Sequence, residues 1–376
     1  MMKKPAPIYL AVVLFCAICT LFGCAQPQPG GASSSSDAAA SGIQASEPTS
    51  YHLSLGFIGD ICLADNYIPM EHLAEIGSTD IADGIDPVFI QIMKKMDLMW
   101  ANNEFVFSDQ GEALEGKAFT FKGSPKNVHY LHDLGIDVVG LANNHVFDYG
   151  EAAFFDTLQT LEDAGIPYTG AGRNEKEARG PVYLDVEGFK IALVNASSAE
   201  YTIYTPEAIG EEPGIAWCYD TTKMIEDIQT AAQNADFVIA LPHWGTEHST
   251  ELTWEQTEGA RAFIDAGADA VIGAHAHNLQ GMEYYNGKPI LYNLGNFWFD
   301  DYDVVDTVVA EVRLTGEIGS KPREGKIELV LHPGTQSEVY TAYASTVEER
   351  DRIFRYIEAI STNITIDENG ILHEAT

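Results

Sequence analysis

Six side chains that can bind a metal ion stand at or just beyond the ends of apolar runs in this chain. They are Asp60, Glu104, Asn144, His243, His275 and His277. Carboxylates, an amide oxygen and imidazoles together suit borderline divalent metals such as Mn, Fe or Zn. Two of the histidines form a His-x-His pair, and alternate residues of an extended segment point to related sides. The set therefore predicts a metal centre.

Each residue also has an ordinary structural interpretation. An aspartate at a strand end, such as Asp60, usually caps a turn or a helix. Asn143-Asn144 alone is typical of a turn, and His243 beside a tryptophan is compatible with a hydrogen-bonded core histidine. The metal interpretation is favoured because potential ligands recur at five strand ends rather than at one.

Short apolar runs precede these residues, and helical patterns lie between the runs. The predicted strands before the six residues are 53–59, 97–102, 137–141, 236–241 and 268–273. Helices are predicted at 87–95, 125–134, 151–164, 221–234, 254–266 and 347–360. Further strands are predicted at 181–186, 190–195, 289–293, 304–314 and 326–332. This order predicts an α/β sandwich with largely buried sheets, in which polar residues collect at the carboxyl ends of strands.

Composition limits the class of protein. The chain has 376 residues with 56 acidic and 21 basic side chains, which gives a formal charge of −35. That charge excludes a general nucleic-acid binder, because such a protein needs a basic surface. Hydrophobic residues make up 45% of the chain, enough for a buried core, and the length fits one large domain or at most two.

The first 24 residues resemble a secretory signal. Lys3 and Lys4 precede an apolar stretch at 8–22, and Gly23-Cys24 resembles a bacterial lipobox, in which the cysteine is lipidated. The alternative is a plain N-terminal membrane anchor. Both interpretations place the rest of the chain outside the cytoplasm, on the outer face of the bacterial cytoplasmic membrane. Residues 25–50 are rich in Ser, Ala and Gly and predict a flexible tether, which leaves 51–376 as the folded domain.

The five cysteines are too few for a disulfide scaffold. Three of them lie within the first 24 residues, so the folded part keeps Cys62 and Cys218. The sequence leaves open whether these two pair in an oxidising compartment.

Seven segments are similar to the CapA/PgsA family, which is associated with capsular poly-γ-glutamate synthesis and belongs to the calcineurin-like metallophosphoesterase superfamily. They are Gly59-Asp60, Asn103-Glu104, FTFKGSP (119–125), LANNHVFDYG (141–150), PHWGTE (242–247), GAHAHNLQ (273–280) and ILYNLGNFWFD (290–300). The resemblance implies a four-layer α/β/β/α sandwich. It also implies two divalent metal ions, with a hydroxide bridging them as the nucleophile.

The superfamily pattern implies a place for each ligand. Asp60 and His277 resemble ligands of the first metal, and Glu104 resembles the carboxylate that bridges both. The ligands implied for the second metal are Asn144, His243 and His275. His145 resembles the histidine that contacts the substrate and acts as general acid, and Asp148 is placed to orient it.

The chain departs from that pattern at Cys62, where most phosphoesterases have a histidine. Cys62 is either a thiolate ligand or a small buried apolar residue. Losing the histidine would weaken the first metal site, which predicts either a single ion or poor occupancy. Asn293 and Asn296 either donate hydrogen bonds to the metal-bound histidines or belong to a packed strand and turn. His248 replaces the family's usual aromatic residue and adds either a substrate contact or nothing.

Three functions follow as hypotheses. The first is a membrane-tethered, metal-dependent hydrolase that acts on a phosphoester or an anionic polymer of the capsule. The second is a non-catalytic accessory subunit of a membrane polyglutamate synthase or export complex. A solute-binding lipoprotein is the third, but it does not account for the six ligands. Lys117, Lys122 and Lys126 flank FTFKGSP and are either a basic patch for an anionic substrate or ordinary surface lysines.

Overall fold

Two β-sheets face each other across a shared core, and helices cover the outer faces. The computed structural model describes residues 50–200, 203–299, 304–318 and 324–375. The predicted signal, the lipobox Cys24 and the tether up to residue 49 lie outside the described residues. No helix in the described ranges is long and apolar enough to cross a membrane.

The strands of the described chain are short, apart from three of 12 or 13 residues. In chain order they are β1 (Ser50–Ile61), β2 (Leu98–Asn103), β3 (Val106–Phe107), β4 (Lys122–Gly123), β5 (Val138–Gly140), β6 (Tyr168–Thr169), β7 (Ala171–Gly172), β8 (Val182–Val186), β9 (Phe189–Ser197), β10 (Gly214–Ile215), β11 (Phe237–His243), β12 (Ala270–Ile272), β13 (Met282–Tyr285), β14 (Lys288–Leu291), β15 (Asn296–Trp298), β16 (Val305–Glu317), β17 (Lys326–Ser337), β18 (Tyr340–Tyr343), β19 (Ile364–Ile366) and β20 (Leu372–Glu374).

The helices lie between strands, as the alternating pattern predicts. They are α1 (Ile68–Glu75), α2 (Pro87–Met93), α3 (His129–Leu134), α4 (Gly150–Ala164), α5 (Glu175–Arg179), α6 (Thr221–Asn234), α7 (Trp254–Ala266) and α8 (Val347–Ile360). Two 3-10 turns occupy Ile81–Asp83 and Pro125–Val128. Local sequence sets several boundaries, since Thr253 and Thr346 begin α7 and α8 with capping boxes.

The first sheet has the order β18-β17-β16-β1-β2-β5-β6, and β15 also pairs with β1. From β1 to β6 the strands are parallel, so β1, β2 and β5 end at the same edge. The second sheet has the order β13-β14-β12-β11-β9-β8, with β9, β11 and β12 parallel. In both sheets the carboxyl ends of central strands are available for functional residues.

Alternation along the strands builds three cores. In β11, Ile239 points into the core between the sheets, whereas Val238 packs with Ile228 of α6 on the outer face. In β1, Phe57 faces the other sheet, and Ile58 joins the core beneath α2, α3 and α4. The layer order is therefore α/β/β/α, which confirms the predicted fold class.

A close backbone contact holds the carboxyl end of β1. A Cβ atom on Gly59 would lie 1.8 Å from the carbonyl oxygen of Gly295, so only glycine fits there. The same carbonyl accepts a hydrogen bond from the amide of Asp60 at 3.0 Å. This contact brings the turn before β15 against the residue that follows Gly59.

Candidate metal centre

The six predicted ligands meet at the carboxyl ends of strands from both sheets. Asp60 is the second-to-last residue of β1, Glu104 directly follows β2, and His243 is the last residue of β11. The other three follow strands by a few residues: Asn144 after β5, and His275 and His277 after β12. All six are buried, with exposures of 8% or less. The tertiary structure therefore brings the predicted set together at one place.

Glu104, His243 and His275 form the tightest group. Their ligand atoms lie within 4.8 Å of one another. A tetrahedral zinc ion with bonds of about 2.0–2.2 Å holds its ligands ~3.4 Å apart, so a small inward shift of the side chains would let one cation bind all three. Glu104 Oε1 and His275 Nδ1 are buried and have no hydrogen-bond partner among the described residues. Buried polar atoms are normally satisfied, so these two fit a site that a cation completes.

Asn144 adds an oxygen to this group. Its Oδ1 lies 2.9 Å from His243 Nε2, and that nitrogen lies 3.7 Å from Glu104 Oε1. Because an amide oxygen only accepts, His243 Nε2 carries the proton in this hydrogen bond. With that proton released, Asn144 Oδ1 and His243 Nε2 would both be able to hold a cation.

Asp60 and His277 form a second pair of candidate ligands. Asp60 Oδ2 is 3.7 Å from His277 Nδ1 and accepts a hydrogen bond from the backbone amide of His275 at 3.3 Å. His277 Nδ1 lies 2.8 Å from Asn296 Oδ1. Since that oxygen accepts the Nδ1 proton, Nε2 of His277 keeps its lone pair for a ligand.

Sequence reasoning missed Asn102. Its Nδ2 donates to Asp60 Oδ1 and to Glu104 Oε2, both at 2.7 Å. This one amide orients the two carboxylates relative to each other. The sequence did contain a clue to this role. Asn102 lies two residues before Glu104, and alternate residues of an extended strand face the same side.

Burial shifts the ionisation of the group. Desolvation raises the pKa of Glu104 well above its usual value, and the nearby charge of Asp60 raises it further. Desolvation also raises the pKa of Asp60. Desolvation and neighbouring positive groups lower the pKa values of His243 and His275 well below the usual value. A metal ion binds neutral imidazoles, and its positive charge would stabilise the ionised form of the buried carboxylates. The group is therefore suited to metal binding.

The backbone at the His-x-His pair differs from the prediction. β12 ends at Ile272, and the two histidines lie in a loop with φ of 106° at His275 and 59° at His277. The premise of an extended segment was wrong, although the rings do lie near each other, with centroids 6.1 Å apart. Positive φ is strained for a residue with a side chain, so the surrounding contacts impose this conformation.

His145 and Asp148 form a hydrogen-bonded pair beside the ligands. His145 Nδ1 lies 2.7 Å from Asp148 Oδ2, and His145 Nε2 lies 4.0 Å from Glu104 Oε1. Because a carboxylate accepts, the imidazole proton is on Nδ1 and Nε2 faces the site. Burial lowers the pKa of His145, and Asp148 offsets only part of that effect.

The three lysines near FTFKGSP have different surroundings. Lys117 is not a surface residue, because its side chain is only 4% exposed and contacts Asp148. Lys122 lies over the ring of Tyr149 at 4.3 Å and donates to two backbone oxygens, whereas Lys126 is exposed. They do not form one basic patch.

Asn293, Asn296 and His248 differ in how they contact the candidate ligands. Asn296 contacts His277, but Asn293 donates to the backbone oxygen of Trp244 at 3.2 Å and accepts from Gly295, which is the turn alternative. The ring of His248 lies 5.5 Å from that of His277.

The two cysteines of the folded part are not joined. Cys62 is buried in the core beneath α2, α3 and α4, and Cys218 lies in the core against α6 and α7. They belong to opposite outer layers. The burial of Cys62 among apolar side chains supports its interpretation as a packing residue.

The chain is similar in sequence to known capsule biosynthesis proteins. The chain is 31% identical over 264 residues to the capsule biosynthesis protein CapA of Bacillus anthracis, covering 66% of this chain and 60% of that protein. It is 31% identical over 256 residues to the PGA biosynthesis protein CapA of Bacillus subtilis, covering 66% and 63%. The matches thus span less than two thirds of these relatives.

Solved structures also align with the chain. NAD nucleotidase from Haemophilus influenzae aligns with a TM-score of 0.43 at 15% identity, covering 86% of this chain and 58% of that one. A hypothetical protein from Thermus thermophilus aligns with a TM-score of 0.44 at 14% identity, covering 76% and 100%.

The family match includes all the candidate ligands. The sequence profile of the bacterial capsule synthesis protein family PGA_cap matches residues 54–301. That range runs from β1 to the residues just after β15 and contains the six ligands, His145 and Asp148. The chain belongs to the bacterial capsule synthesis protein family PGA_cap.

Proposed function

We propose that this protein is a metal-dependent hydrolase of capsule polymer synthesis, anchored outside the cytoplasm through its N-terminal segment. Two relatives are named for capsule or PGA biosynthesis, which supports the polymer context. The proposed substrate is a phosphoester or an anionic capsule polymer such as poly-γ-glutamate.

One observation carries the proposal: the buried group of Glu104, His243 and His275, in which Glu104 Oε1 and His275 Nδ1 have no hydrogen-bond partner among the described residues. These residues and Asn144 would hold one divalent cation. Asp60 and His277 would hold a second cation with Glu104 shared between them. When bound, such cations supply Lewis acidity and activate water. Mn, Fe and Zn all suit this set of nitrogen and oxygen ligands.

The chain's own residues supply orientation and proton handling. Asn102 holds the two carboxylates, and Asn296 sets the tautomer of His277. Asp148 holds His145 with Nε2 toward the site. Because the pKa of His145 is lowered, the neutral imidazole predominates at neutral pH, and Nε2 then accepts a hydrogen bond or a proton. Protonated His145 would donate to a leaving group only at lower pH.

A specific observation favours a second candidate, the non-catalytic accessory subunit. Cys62 stands where the superfamily pattern has a histidine and is packed in an apolar core. The first metal would therefore have fewer ligands than the second. A protein that keeps one structural cation and binds a polymer or a membrane synthase fits this arrangement.

The test is elemental analysis of the full-length protein, purified without added metal, beside the double variant His275→Ala/His277→Ala. Turnover of bis(p-nitrophenyl) phosphate is then measured for the wild type and for His145→Ala. We expect the double variant to lose metal and His145→Ala to keep it while losing about 100- to 10,000-fold in turnover. His129→Ala is the matched control, because the side chain of His129 is 48% exposed and is not a candidate ligand.

Two results would decide against hydrolysis. Retention of metal with no turnover of any phosphoester or of poly-γ-glutamate would favour the accessory subunit. A protein that takes up no Mn or Zn after incubation would contradict both candidates.

A further inference from the structure

Lys117 places a positive charge in the interior beside His145 and Asp148. Its side chain is 4% exposed, and Nζ lies 2.8 Å from Asp148 Oδ1 and 3.0 Å from Glu200 Oε2. Nζ also donates to the backbone oxygen of Asn144. Two of these three oxygens belong to carboxylates, so two ion pairs balance the charge of the buried ammonium. All three oxygens belong to the protein, so these contacts indicate a structural role for Lys117 rather than a direct contact with a substrate anion.

Asp148 is the point on which these contacts converge. Its Oδ2 accepts from His145 Nδ1 and from the backbone amide of Phe121, both at 2.7 Å. Its Oδ1 faces Lys117. Asp148 is fully buried, and a buried carboxylate is stable only when it is paired and hydrogen-bonded. Among the described residues, the ion-pair partners of Asp148 are Lys117 and His145.

Lys117 also joins two irregular segments. It lies in the segment 108–121, which holds its position through the amide of Leu114 donating to the oxygen of Asp148 at 2.9 Å. Glu200 lies three residues after β9 with φ of 61°. A second link between the same two segments is the hydrogen bond from the Tyr204 hydroxyl to the oxygen of Gly116, at 3.0 Å.

The conformation at Glu200 depends on such contacts. A glutamate with positive φ is strained, and strain of this kind persists only where neighbouring contacts enforce it. The ion pair with Lys117 and the hydrogen bond from the Tyr219 hydroxyl to the backbone oxygen of Glu200 are those contacts. The segment after β9 is thereby tied to the residue that orients His145.

We propose that Lys117 is a positioning residue: it fixes the Asp148 carboxylate from the side opposite His145 and ties the segment around Glu200 to it, so that His145 keeps Nε2 toward the candidate metal centre. The effect of Lys117 on the His145–Asp148 hydrogen bond does not depend on hydrolysis, whereas its effect on turnover rests on the proposed function.

The test uses the full-length protein labelled with ¹⁵N-histidine. The Nδ1 proton of His145, assigned by its absence in His145→Ala, reports the hydrogen bond to Asp148. We expect this resonance in the wild type and in Lys117→Arg, and its loss in Lys117→Met. Lys122→Met is the matched control and keeps the resonance, because Lys122 contacts Tyr149 and two backbone oxygens instead.

Two further measurements accompany the spectrum. Metal content is expected to stay at the wild-type level in Lys117→Met, since Lys117 contacts only Asn144 among the candidate ligands, and only through its backbone oxygen. Turnover is expected to fall about 10- to 100-fold, as for other residues that orient a functional group, and Lys117→Arg is expected to restore most of it.

An unchanged His145 resonance in Lys117→Met overturns the proposal, whether or not the protein hydrolyses phosphoesters. If Lys117→Met does not fold, Glu200→Gln decides instead by hydrogen–deuterium exchange. Faster amide exchange in 114–121 supports the tie between the segments, and unchanged exchange overturns it. Absence of turnover in the wild type contradicts the proposed function only, because the spectrum still tests Lys117.

Discussion

The side-chain amide of Asn102 lies 2.7 Å from Glu104 Oε2, and this hydrogen bond leaves Oε1 of the same carboxylate facing the histidines. The other hydrogen of the amide goes to Asp60 at the same distance. One neutral residue therefore separates two buried carboxylates and decides which oxygen of Glu104 is available for a cation.

Replacing Asn102 by leucine tests this role. Asn102→Leu keeps a similar volume but removes the donor to two buried carboxylates. We expect the free energy of unfolding of the metal-free protein to fall by about 2–3 kcal/mol at pH 7, because unsatisfied buried groups are costly. Urea denaturation measures it. Asn234→Leu is the control: Asn234 is exposed at the end of α6, and a change there should stay within about 0.5 kcal/mol.

The backbone at His275 predicts an unusual order of stability between two variants. Both His275→Gly and His275→Ala remove the ligand, but only glycine accepts φ of 106° without strain. We expect the metal-free glycine variant to be more stable than the alanine variant by about 1–2 kcal/mol. At His243, in β11, the order should reverse, since glycine in a strand costs about 0.5–1 kcal/mol relative to alanine. The same order at both positions would contradict the argument.

Asn296 and Asn293 should differ in their effect on metal binding. Asn296→Ala removes the acceptor that fixes the His277 tautomer, and we expect metal affinity to fall about 10- to 100-fold. Asn293→Ala disturbs the turn at Gly295 instead, so its main effect should be on unfolding. Isothermal titration of the metal-free variants with Mn²⁺ or Zn²⁺ measures both affinities. A larger loss for Asn293→Ala would refute the assignment.

Glu311, far from the ligands in sequence, predicts a pH dependence of stability. Burial raises its pKa, but hydrogen bonds from His332, Arg313 and Ser54 outweigh burial and lower the pKa to about 2. A lowered carboxyl pKa in the folded state means that its stabilising effect is present above about pH 4.5 and is lost as the pH falls toward 2. Glu311→Gln should therefore lower the free energy of unfolding at pH 7 by on the order of 2 kcal/mol.

That difference between the wild type and Glu311→Gln should shrink between pH 4.5 and pH 3, as followed by urea denaturation. Glu328→Gln is the control for a surface ion pair, because its partner Lys326 is 67% exposed. We expect a small change there, since exposed pairs contribute between about 0 and 1 kcal/mol. A difference for Glu311→Gln that stays constant with pH would count against the assigned pKa.

Local patterns in the sequence were sufficient for the layers and for most elements. Helices α6, α7 and α8 begin and end where their polar and apolar periodicity predicts, because each helix buries one apolar stripe against a sheet. The six ligands could be named because they follow apolar strands, and parallel strands of one sheet end at the same edge.

Tertiary structure decided what chain position does not encode. The two histidines after β12 lie in strained backbone that only contacts from other segments impose. Asn102 and Lys117 look like ordinary polar residues in the sequence, because their partners lie up to 83 residues away along the chain. The separation of Cys62 and Cys218 into opposite layers likewise depends on how two sheets stack, which follows from long-range packing and not from local pattern.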